Sequence, residues 1–316
     1  MKNPIISVII PTLNRADVLA EMLESLLAQT AVPDEVIIVD QSQTDESKKM
    51  SENLLNNYNL NQQNTIKLTY IHNPTITGAA QARNIGIKKC FGDIVFFFDD
   101  DVVLNKDYIE ETLKIYEQYP ETAGVGGIIL GCDSLKNIKN RLFNKLFYLG
   151  KFRDERNEIY SNFINYTGPV PISRLSGGCS SYKRCIIEKE LFDEKFDRIL
   201  NGYSFGEDVD LSLRIIKSHT LLISPFARLV HKSQSYGTER KTKSVSLYLE
   251  MTSLTYTFLK NSKSDILSYL QYSWLLVGWF MKCLLSLVFK RDKKTISAFL
   301  KGLNTGSRLY AECSRN

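Results

Sequence analysis

The stretch DIVFFFDDDVVLN, residues 93–105, joins a run of large apolar side chains directly to three consecutive aspartates. Ile94–Phe98 has no polar residue on either face, which is typical of a strand buried on both sides in a parallel sheet. Asp99, Asp100 and Asp101 repel one another, so a shared cation is the simplest way to hold all three at the end of a buried strand. The stretch therefore predicts a layered α/β fold and a polar site at a strand end.

Strand and helix patterns alternate around this stretch. The predicted strands are short runs of apolar, often β-branched residues, and the predicted helices repeat apolar residues at helical spacing. In chain order they are a strand at Ile5–Ile10, a helix at Ala16–Gln29, strands at Val36–Val39 and Ile66–Ile71, a helix at Ala79–Cys90, the strand at Ile94–Phe98, a helix at Asn105–Tyr119 and a strand at Ala123–Leu130. This alternation predicts a Rossmann-like, mainly parallel sheet flanked by helices.

The second half of the chain is less regular. Residues 131–170 have no clear period, and we make no secondary-structure prediction for them. Strand patterns return from Ile172, and the later predictions are a helix at Glu207–Ser218, short strands at Leu221–Ser224 and Arg228–His231, and helices throughout beyond Lys243. We therefore predict a helical C-terminal extension behind the α/β domain.

The net charge of +5 is unevenly distributed along the 316 residues. Residues 1–227 contain 25 Lys and Arg against 30 Asp and Glu, which gives −5, whereas residues 228–316 contain 15 against 5, which gives +10. The sequence predicts an α/β domain over residues 1–240 and a basic, apolar helical extension over residues 241–316. A basic, apolar segment suits an anionic membrane surface better than nucleic acid, and the chain has no interleaved basic and aromatic motif.

The apolar segment Leu267–Phe289 has 23 residues, about 34 Å as a helix, which is long enough to cross a bilayer. Lys282 near its centre would cost about 2.5–3.5 kcal/mol in a true span. We favour a helix that lies on the inner leaflet through residues 264–294, with a core-packing helix and a true span as alternatives.

The cysteine content and the N-terminal residues predict the cellular compartment of the protein. The six cysteines include no CxxC pair and the chain has three histidines, so we expect free thiols and no zinc site. The N-terminal apolar run is too short for a signal peptide. We therefore expect a cytoplasmic protein at the inner face of the cell membrane, with no nucleic-acid partner.

Polar residues follow three of the predicted strands, and ligands bind at such strand ends in open α/β sheets. The chain lacks both GxGxxG after its first strand and GxxxxGK[ST] anywhere, which argues against a dinucleotide enzyme and a P-loop NTPase. A divalent cation held by carboxylates and shared with substrate phosphates fits instead. Asp99 and Asp101 can face one ion if the segment is extended, and Asp100 would then point to a hydroxyl group.

Seven segments taken together resemble a family 2 glycosyltransferase with the GT-A fold over roughly residues 4–235. They are ISVIIPTLNR, EVIIVDQSQTD, GAAQARNIGI, the DDD run, GGCSSYKR, GEDVDLSLR and LVHK. The resemblance implies an inverting, metal-dependent transferase that moves a sugar from a UDP- or dTDP-sugar to a hydroxyl of a glycan or lipid-linked acceptor in surface polysaccharide synthesis. It implies Mn²⁺ or Mg²⁺ as the cofactor.

The resemblance also implies site residues. Asp208 would be the catalytic base, and Asp99, Asp101 and His231 would hold the metal. The residues implied in donor binding are Pro11, Thr12, Asn14, Arg15, Asp40, Arg83, Asp99, Asp100, Gly177, Gly178 and Lys232. A carboxylate that deprotonates the acceptor and a cation that stabilises the leaving diphosphate are what inverting transfer requires.

Two alternatives stay open on the sequence. A sugar-phosphate nucleotidyltransferase also combines an α/β sheet with magnesium-binding carboxylates, but PTLNR is not its expected glycine- and lysine-rich loop. A non-catalytic scaffold of a glycan pathway would have no need of the DDD run, the GED acid and the LVHK histidine together.

Overall fold

A computed structural model of the chain describes residues 4–62, 65–131, 138–199, 205–232, 242–262 and 265–313. The strands are β1 (Ile6–Thr12), β2 (Glu35–Asp40), β3 (Lys67–His72), β4 (Ile94–Phe98), β5 (Val102–Leu104), β6 (Thr122–Leu130), β7 (Val170–Pro171), β8 (Cys179–Lys183) and β9 (Thr220–His231). The helices are α1 (Ala16–Leu27), α2 (Glu46–Asn61), α3 (Ala79–Ile87), α4 (Tyr108–Gln118), α5 (Ile138–Phe147), α6 (Arg156–Asn162), α7 (Arg184–Glu190), α8 (Glu207–Ile215), α9 (Lys243–Asn261), α10 (Ile266–Lys290) and α11 (Lys293–Cys313).

The nine strands of the described residues form one mixed sheet, in the order β3-β2-β1-β4-β8-β6-β9-β5, with β7 paired to β9. β3, β2, β1 and β4 are parallel, as predicted. β8 runs antiparallel to both β4 and β6, and β5 runs antiparallel to β9, while β6 and β9 are parallel. The predicted α/β fold is confirmed, and its antiparallel half is a feature that the sequence pattern did not predict.

The sheet is buried on both faces at β1, β2 and β4, which explains their continuous apolar runs. One face packs against α1 and α4 through residues such as Leu19, Leu23 and Ile109. The other face packs against α3 and α8 through Ile87, Leu211 and Ile215. Each of these buried side chains contributes about 1.5–3 kcal/mol, so the layered core fixes the strand ends that carry the polar residues.

The helices α9, α10 and α11 share a separate core with Phe152, built around Met251, Leu275 and Phe299. α11 approaches α9 closely at two glycines. A Cβ on Gly302 would lie 2.6 Å from the Cβ of Met251, and one on Gly306 would lie 2.6 Å from the carbonyl oxygen of Thr252. Both positions therefore require glycine, because any side chain would push the two helices apart.

α9 also contacts residues near the sheet and so connects these helices to the rest of the fold. Tyr256 packs edge-on against Phe196 at 5.1 Å between ring centroids, and its hydroxyl donates to Asp193 at 2.6 Å. The Lys260 ammonium lies 2.7 Å from Asp193 and 2.8 Å from Asp210. The predicted boundary between residues 240 and 241 lies outside the described residues, so the division into two domains stays a prediction.

Several elements differ from the sequence prediction. The helix α2 was not predicted, because its fully buried positions are Ser47, Ser51 and Leu55 and it has no strong apolar stripe. The short strand β5 was missed as well. The segment without a prediction contains α5, α6 and the first residue of β7, while residues 132–137 lie outside the described part. The two short strands predicted after α8 are one strand, β9, with register shifts.

Candidate active site

The polar residues after β1, β2 and β4 share one edge of the sheet, because these parallel strands end together. The three aspartates follow β4 directly. The next strand, β5, pairs antiparallel with the end of β9 and sets Val102 opposite His231. The amide of Lys232 also donates to the carbonyl of Asp101 at 2.8 Å. The pairing of β5 with β9 is therefore what brings His231 beside the aspartates.

Asp99, Asp101 and His231 form a carboxylate–histidine cluster in which one ligand atom from each lies within 4.8 Å of the others. The Nε2 of His231 is 3.3 Å from Oδ1 of Asp101 and 3.9 Å from Oδ2 of Asp99. The other oxygen of Asp99 contacts Arg83, and the other oxygen of Asp101 contacts Arg15. Two carboxylate oxygens and one imidazole nitrogen therefore face one another, and this arrangement fits a metal ion.

The protonation equilibria of the cluster reflect its crowding. The hydrogen bond with Asp99, followed by the charge of Asp101, raises the pKa of His231. Burial opposes ionisation of Asp99, yet His231 and Arg83 outweigh it and hold its pKa below the ordinary value. For Asp101, burial outweighs the nearby cations and raises its pKa. The neighbouring cations therefore stabilise the ionised form of Asp99 more than that of Asp101.

Asp100 turns away from the cluster, as expected, and the hydroxyl that it meets belongs to the protein. Its Oδ2 accepts from the Thr12 hydroxyl at 2.8 Å, and its Oδ1 lies 3.1 Å from Nη1 of Arg15. Burial raises the pKa of Asp100 to about 6. Arg15 also lies 3.3 Å from Asp101, so one guanidinium joins the loop after β1 to two of the three aspartates.

Arg83 of α3 connects the aspartates to α8. It is buried, with one Nη 2.9 Å from Asp99 and the other 2.8 Å from Oε1 of Glu207. Its guanidinium lies over the Phe192 ring at 5.3 Å from the centroid. Burial raises the pKa of Glu207 to about 7 in spite of Arg83. Arg83 therefore joins the aspartates to α8 and also lines the site.

The glycine pair before β8 lies directly against the charged residues. A Cβ on Gly178 would be 2.1 Å from Oδ2 of Asp99, and one on Gly177 would be 3.1 Å from Arg83. The Gly177 amide donates to Oδ2 of Asp208 at 3.2 Å. The glycines allow the backbone to pass between the aspartates and α8, so that the site stays open.

Asp208 is held by a residue that the sequence reading missed. Its Oδ2 lies 3.2 Å from Nη1 of Arg156, and its Oδ1 accepts from the Val209 amide at 2.8 Å. Arg156 is in turn 2.7 Å from Asp154. Both residues lie in the segment without a predicted structure. The sequence offered one signal, the alternation of acids and arginines in RDER at 153–156.

Four of the predicted donor-binding residues do not line the cleft beside the aspartates, and neither do Thr12, Arg15 and Asp100. Pro11 is buried in β1 opposite Val39. Asp40 has no exposed surface, and its oxygens accept from the Ser42 amide at 2.8 Å and the Tyr70 hydroxyl at 2.5 Å. In this conformation both residues support the neighbouring loops and do not face the cleft.

The other two are Asn14 and Lys232. Asn14 is exposed with a positive φ of 53°, and its amide donates to the Ser42 hydroxyl at 2.7 Å. It lines a second cavity of about 640 Å³ with Arg15 and Ser47. Lys232, expected at a diphosphate, forms an ion pair with Glu21 of α1, so its ammonium contacts a carboxylate of the protein.

The main cleft has a volume of about 1460 Å³. Asp99, His231, Gly177 and Asp208 line it together with residues of α5, α6, α9 and α10. The carboxylate–histidine cluster and Asp208 thus open into one continuous space. That space is large enough for more than one sugar-sized group.

Comparisons with known proteins identify the family of the chain. The sequence model of the family described as Glycosyl transferase family 2 matches residues 7–191. An amylovoran biosynthesis glycosyltransferase of Erwinia amylovora, AmsB, is 25% identical over 303 residues, which are 95% of this chain and 89% of that protein. An uncharacterized glycosyltransferase of Haemophilus influenzae is 36% identical over 115 residues, but these cover only 36% of this chain and 35% of that protein.

Solved structures show the same fold. The structure of S. aureus TarS residues 1–349 gives a TM-score of 0.60 at 16% identity and covers 98% of this chain and 82% of that one. The mannosyltransferase PcManGT from Pyrobaculum calidifontis, in complex with GDP-Man and Mn²⁺, gives 0.56 at 14% identity and covers 98% and 88%. The family match spans more than half of the chain, and the layered sheet agrees with it. The chain therefore belongs to glycosyl transferase family 2 and has the GT-A fold.

Proposed function

We propose that the protein is a metal-dependent inverting glycosyltransferase that moves a sugar from a nucleoside-diphosphate donor to an acceptor hydroxyl. One observation carries the proposal: the carboxylate–histidine cluster and the Asp208 carboxylate open into the same cleft, on either side of the glycine pair. A leaving group held at the cluster and an acceptor held at Asp208 would meet at the sugar between them.

The residues of the cluster fit a divalent cation, since two carboxylate oxygens and one imidazole nitrogen converge. Carboxylates suit Mn²⁺ or Mg²⁺, and PcManGT was solved with GDP-Man and Mn²⁺. When bound, such an ion supplies positive charge to the diphosphate as it leaves. Asp99, Asp101 and His231 would hold it, and Arg15 and Arg83 would keep the carboxylates turned toward it.

The donor nucleotide would lie along the loops after β1 and β2, beside the smaller cavity at Asn14, Arg15 and Ser47. We propose a UDP- or dTDP-sugar. Lys232 would exchange Glu21 for the diphosphate when the donor binds, because a phosphate carries more negative charge than a carboxylate. Asp40 would act through the Ser42 loop that it holds.

Asp208 would accept the proton of the acceptor hydroxyl as that oxygen attacks the sugar. Arg156 and the Gly177 amide both contact Oδ2 of Asp208, and the Val209 amide donates to Oδ1, so these contacts would hold the carboxylate in position. We propose that Arg156 is a positioning residue, since it acts through Asp208.

We propose a glycan or lipid-linked acceptor in surface polysaccharide synthesis. AmsB, which matches 95% of this chain, is described as an amylovoran biosynthesis glycosyltransferase. Residues 1–240 would be the catalytic domain. Residues 241–316 would complete the acceptor cleft, because α9 and α10 line it.

We propose further that α10 lies on the inner face of the cell membrane. Ile266–Phe289 is the one helix among the described residues that is long and apolar enough to cross a membrane by length and composition, which alone is weak evidence for a span. Its large apolar side chains Leu270, Trp274, Val277, Met281 and Val288 are exposed. Arg291, Lys293 and Lys294 follow at its end and are suited to anionic lipid.

Calorimetric titration with UDP, dTDP and GDP, each with Mn²⁺ and with EDTA, tests the proposed function. We expect one nucleotide to bind in a metal-dependent way, and that nucleotide identifies the donor class. Asp101→Ala should abolish the metal dependence, because it removes one of the three converging donors. Metal-independent binding, or no binding of any nucleotide, would contradict the proposal.

A further inference from the structure

Arg174 is a buried cation in the wall of the main cleft that the proposed chemistry does not use. The residue is 7% exposed and lines the same cleft as Asp208. One Nη donates to the carbonyl of Lys151. Its buried Nε has no hydrogen-bond partner among the residues that the structure describes. A buried guanidinium with an unused donor is costly, so its presence at this place calls for an explanation.

No carboxylate within the described ranges forms an ion pair with Arg174. Asp154 is the nearby acid, but both of its oxygens accept from Arg156, at 2.7 Å from Nη2 and 3.0 Å from Nε. Burial lowers the pKa of Arg174, and the charge of Arg156 lowers it further. An arginine nevertheless stays protonated at neutral pH. Two arginines thus face two carboxylates, Asp154 and Asp208, but both carboxylates pair with Arg156, and Arg174 forms an ion pair with neither.

Arg174 lies near the proposed base. Arg156 contacts Asp208, and its charge also acts on Arg174. The helix α5 adds the exposed cations Arg141 and Lys145 to the lining of the same cleft. A ligand that reached Asp208 with a hydroxyl would therefore find cations in the same cleft for a negatively charged group.

The same part of the cleft has an apolar rim. Leu142 and Leu149 line the cleft and are 58% and 40% exposed. Leu146 between them is also exposed, and its carbonyl accepts from the Trp274 indole at 2.8 Å. The rim is thus continuous with the exposed apolar side of α10. Cations inside and apolar side chains outside match a ligand with a charged head and an apolar tail.

We propose that Arg174, with Arg141 and Lys145, forms an anion-binding subsite for the acceptor. Its ligand is an anionic oxygen group one sugar away from the attacking hydroxyl. The apolar rim favours a diphosphate linked to an isoprenoid chain, and the carboxylate of an acidic sugar is the other source of the same chemistry. This inference rests on the proposed function, because it assigns the acceptor end of the same cleft.

Titration calorimetry on the full chain in EDTA tests the subsite apart from any metal-dependent binding. The probes are geranyl diphosphate, inorganic pyrophosphate and glucuronate. We expect geranyl diphosphate to bind and Arg174→Gln to weaken it about tenfold or more, as for loss of a charge-assisted contact. The matched control is Arg153→Gln, which removes an arginine of the same cleft that is paired with Glu158 at 2.9 Å. It should leave binding unchanged.

The probes separate the two sources. Tighter binding of geranyl diphosphate than of pyrophosphate assigns the lipid source, and preference for glucuronate assigns the acidic sugar. If Arg174→Gln does not fold, the exposed double variant Arg141→Gln/Lys145→Gln decides, with an expected loss of severalfold. Binding that neither variant weakens, or no binding of any probe, overturns the subsite. The proposed function would survive that result if nucleotide binding with Mn²⁺ is retained, and it would fail separately if that binding is absent.

Discussion

Gly178→Ala should weaken metal-dependent donor binding while the protein stays folded. The new Cβ would lie 2.1 Å from Oδ2 and 2.3 Å from Cγ of Asp99. Ordinary contact begins at 3.4 Å, so the carboxylate has to retreat by about 1.3 Å. Metal–ligand distances tolerate only about 0.2 Å. Asp99 would therefore leave the metal position while the strands around it stay in place.

The magnitude follows from the contacts that move. Asp99 would lose the hydrogen-bond geometry of its 2.9 Å contact with Arg83 and its approach to His231. Disturbing the supports of a metal ligand costs about 10–100-fold in affinity. Accommodating one methyl group beside a packed side chain costs about 1–3 kcal/mol of stability. We expect a folded protein whose Mn²⁺-dependent nucleotide affinity has fallen at least about tenfold.

The assay is calorimetric titration of the donor nucleotide with Mn²⁺ and with EDTA, together with a thermal melt. Gly168→Ala is the matched control, because a Cβ at that glycine meets nothing within 4 Å. The control should bind and melt like the parent. Retention of Mn²⁺-dependent affinity within twofold in Gly178→Ala would refute the assignment of Asp99 as a metal ligand. An equal loss of affinity with EDTA would show that Asp99 contacts the nucleotide without a metal.

Three further perturbations test other parts of the site. Asp208→Asn should keep donor binding and lower turnover by about 100-fold or more, measured as steady-state sugar transfer; normal turnover would exclude it as the base. Arg83→Met should lower the free energy of unfolding by about 3–5 kcal/mol, because it leaves buried Glu207 without its cation; urea denaturation measures this, and Glu207→Gln in the same chain should recover part of the loss. Leu270→Ser/Val277→Ser on α10 should reduce sedimentation with anionic vesicles, whereas Ser307→Ala, at an exposed position of α11, should not; equal binding of both would place the membrane contact elsewhere.

Local patterns were sufficient for the parallel half of the fold. β1, β2 and β4 are buried on both faces, and such strands show themselves as unbroken apolar runs in the sequence. The aspartates follow one of these strands directly, so their place at the sheet edge was predictable. Their alternation also predicted that Asp100 would face away from its neighbours. These inferences require only nearest neighbours along the chain.

The remaining features depend on contacts between distant segments, which local patterns do not encode. The partner of Lys232 is Glu21, on the first helix. The partner of Asp208 is Arg156, in a segment without hydrophobic period. Asp40 has the position of a donor-binding residue in the sequence, yet Tyr70 of the neighbouring strand β3 covers it. The role of a polar side chain depends on the residues that surround it in space. The sequence could therefore predict these roles only in general terms.

The helix α10 adds a structural observation to the sequence argument about the membrane. Lys282 interrupts the apolar segment, and the sequence analysis counted it as a cost to a true span. In the structure Ser268, Tyr272, Leu275, Trp279 and Cys283 form the buried stripe. Lys282 lies beside this stripe, with its ammonium 4.4 Å from the Trp279 ring centroid and 4.6 Å from that of Phe143.

The lysine thus belongs to the side of α10 that meets the protein and the cleft. At 100° per residue, Leu270, Val277, Met281 and Val288 lie on the opposite side, which carries no charged residue between Ile266 and Phe289. A helix that presents one side to its own core and an uncharged apolar side outward has the geometry of a surface-lying helix. Lys282 therefore supports the proposal that α10 lies on the membrane.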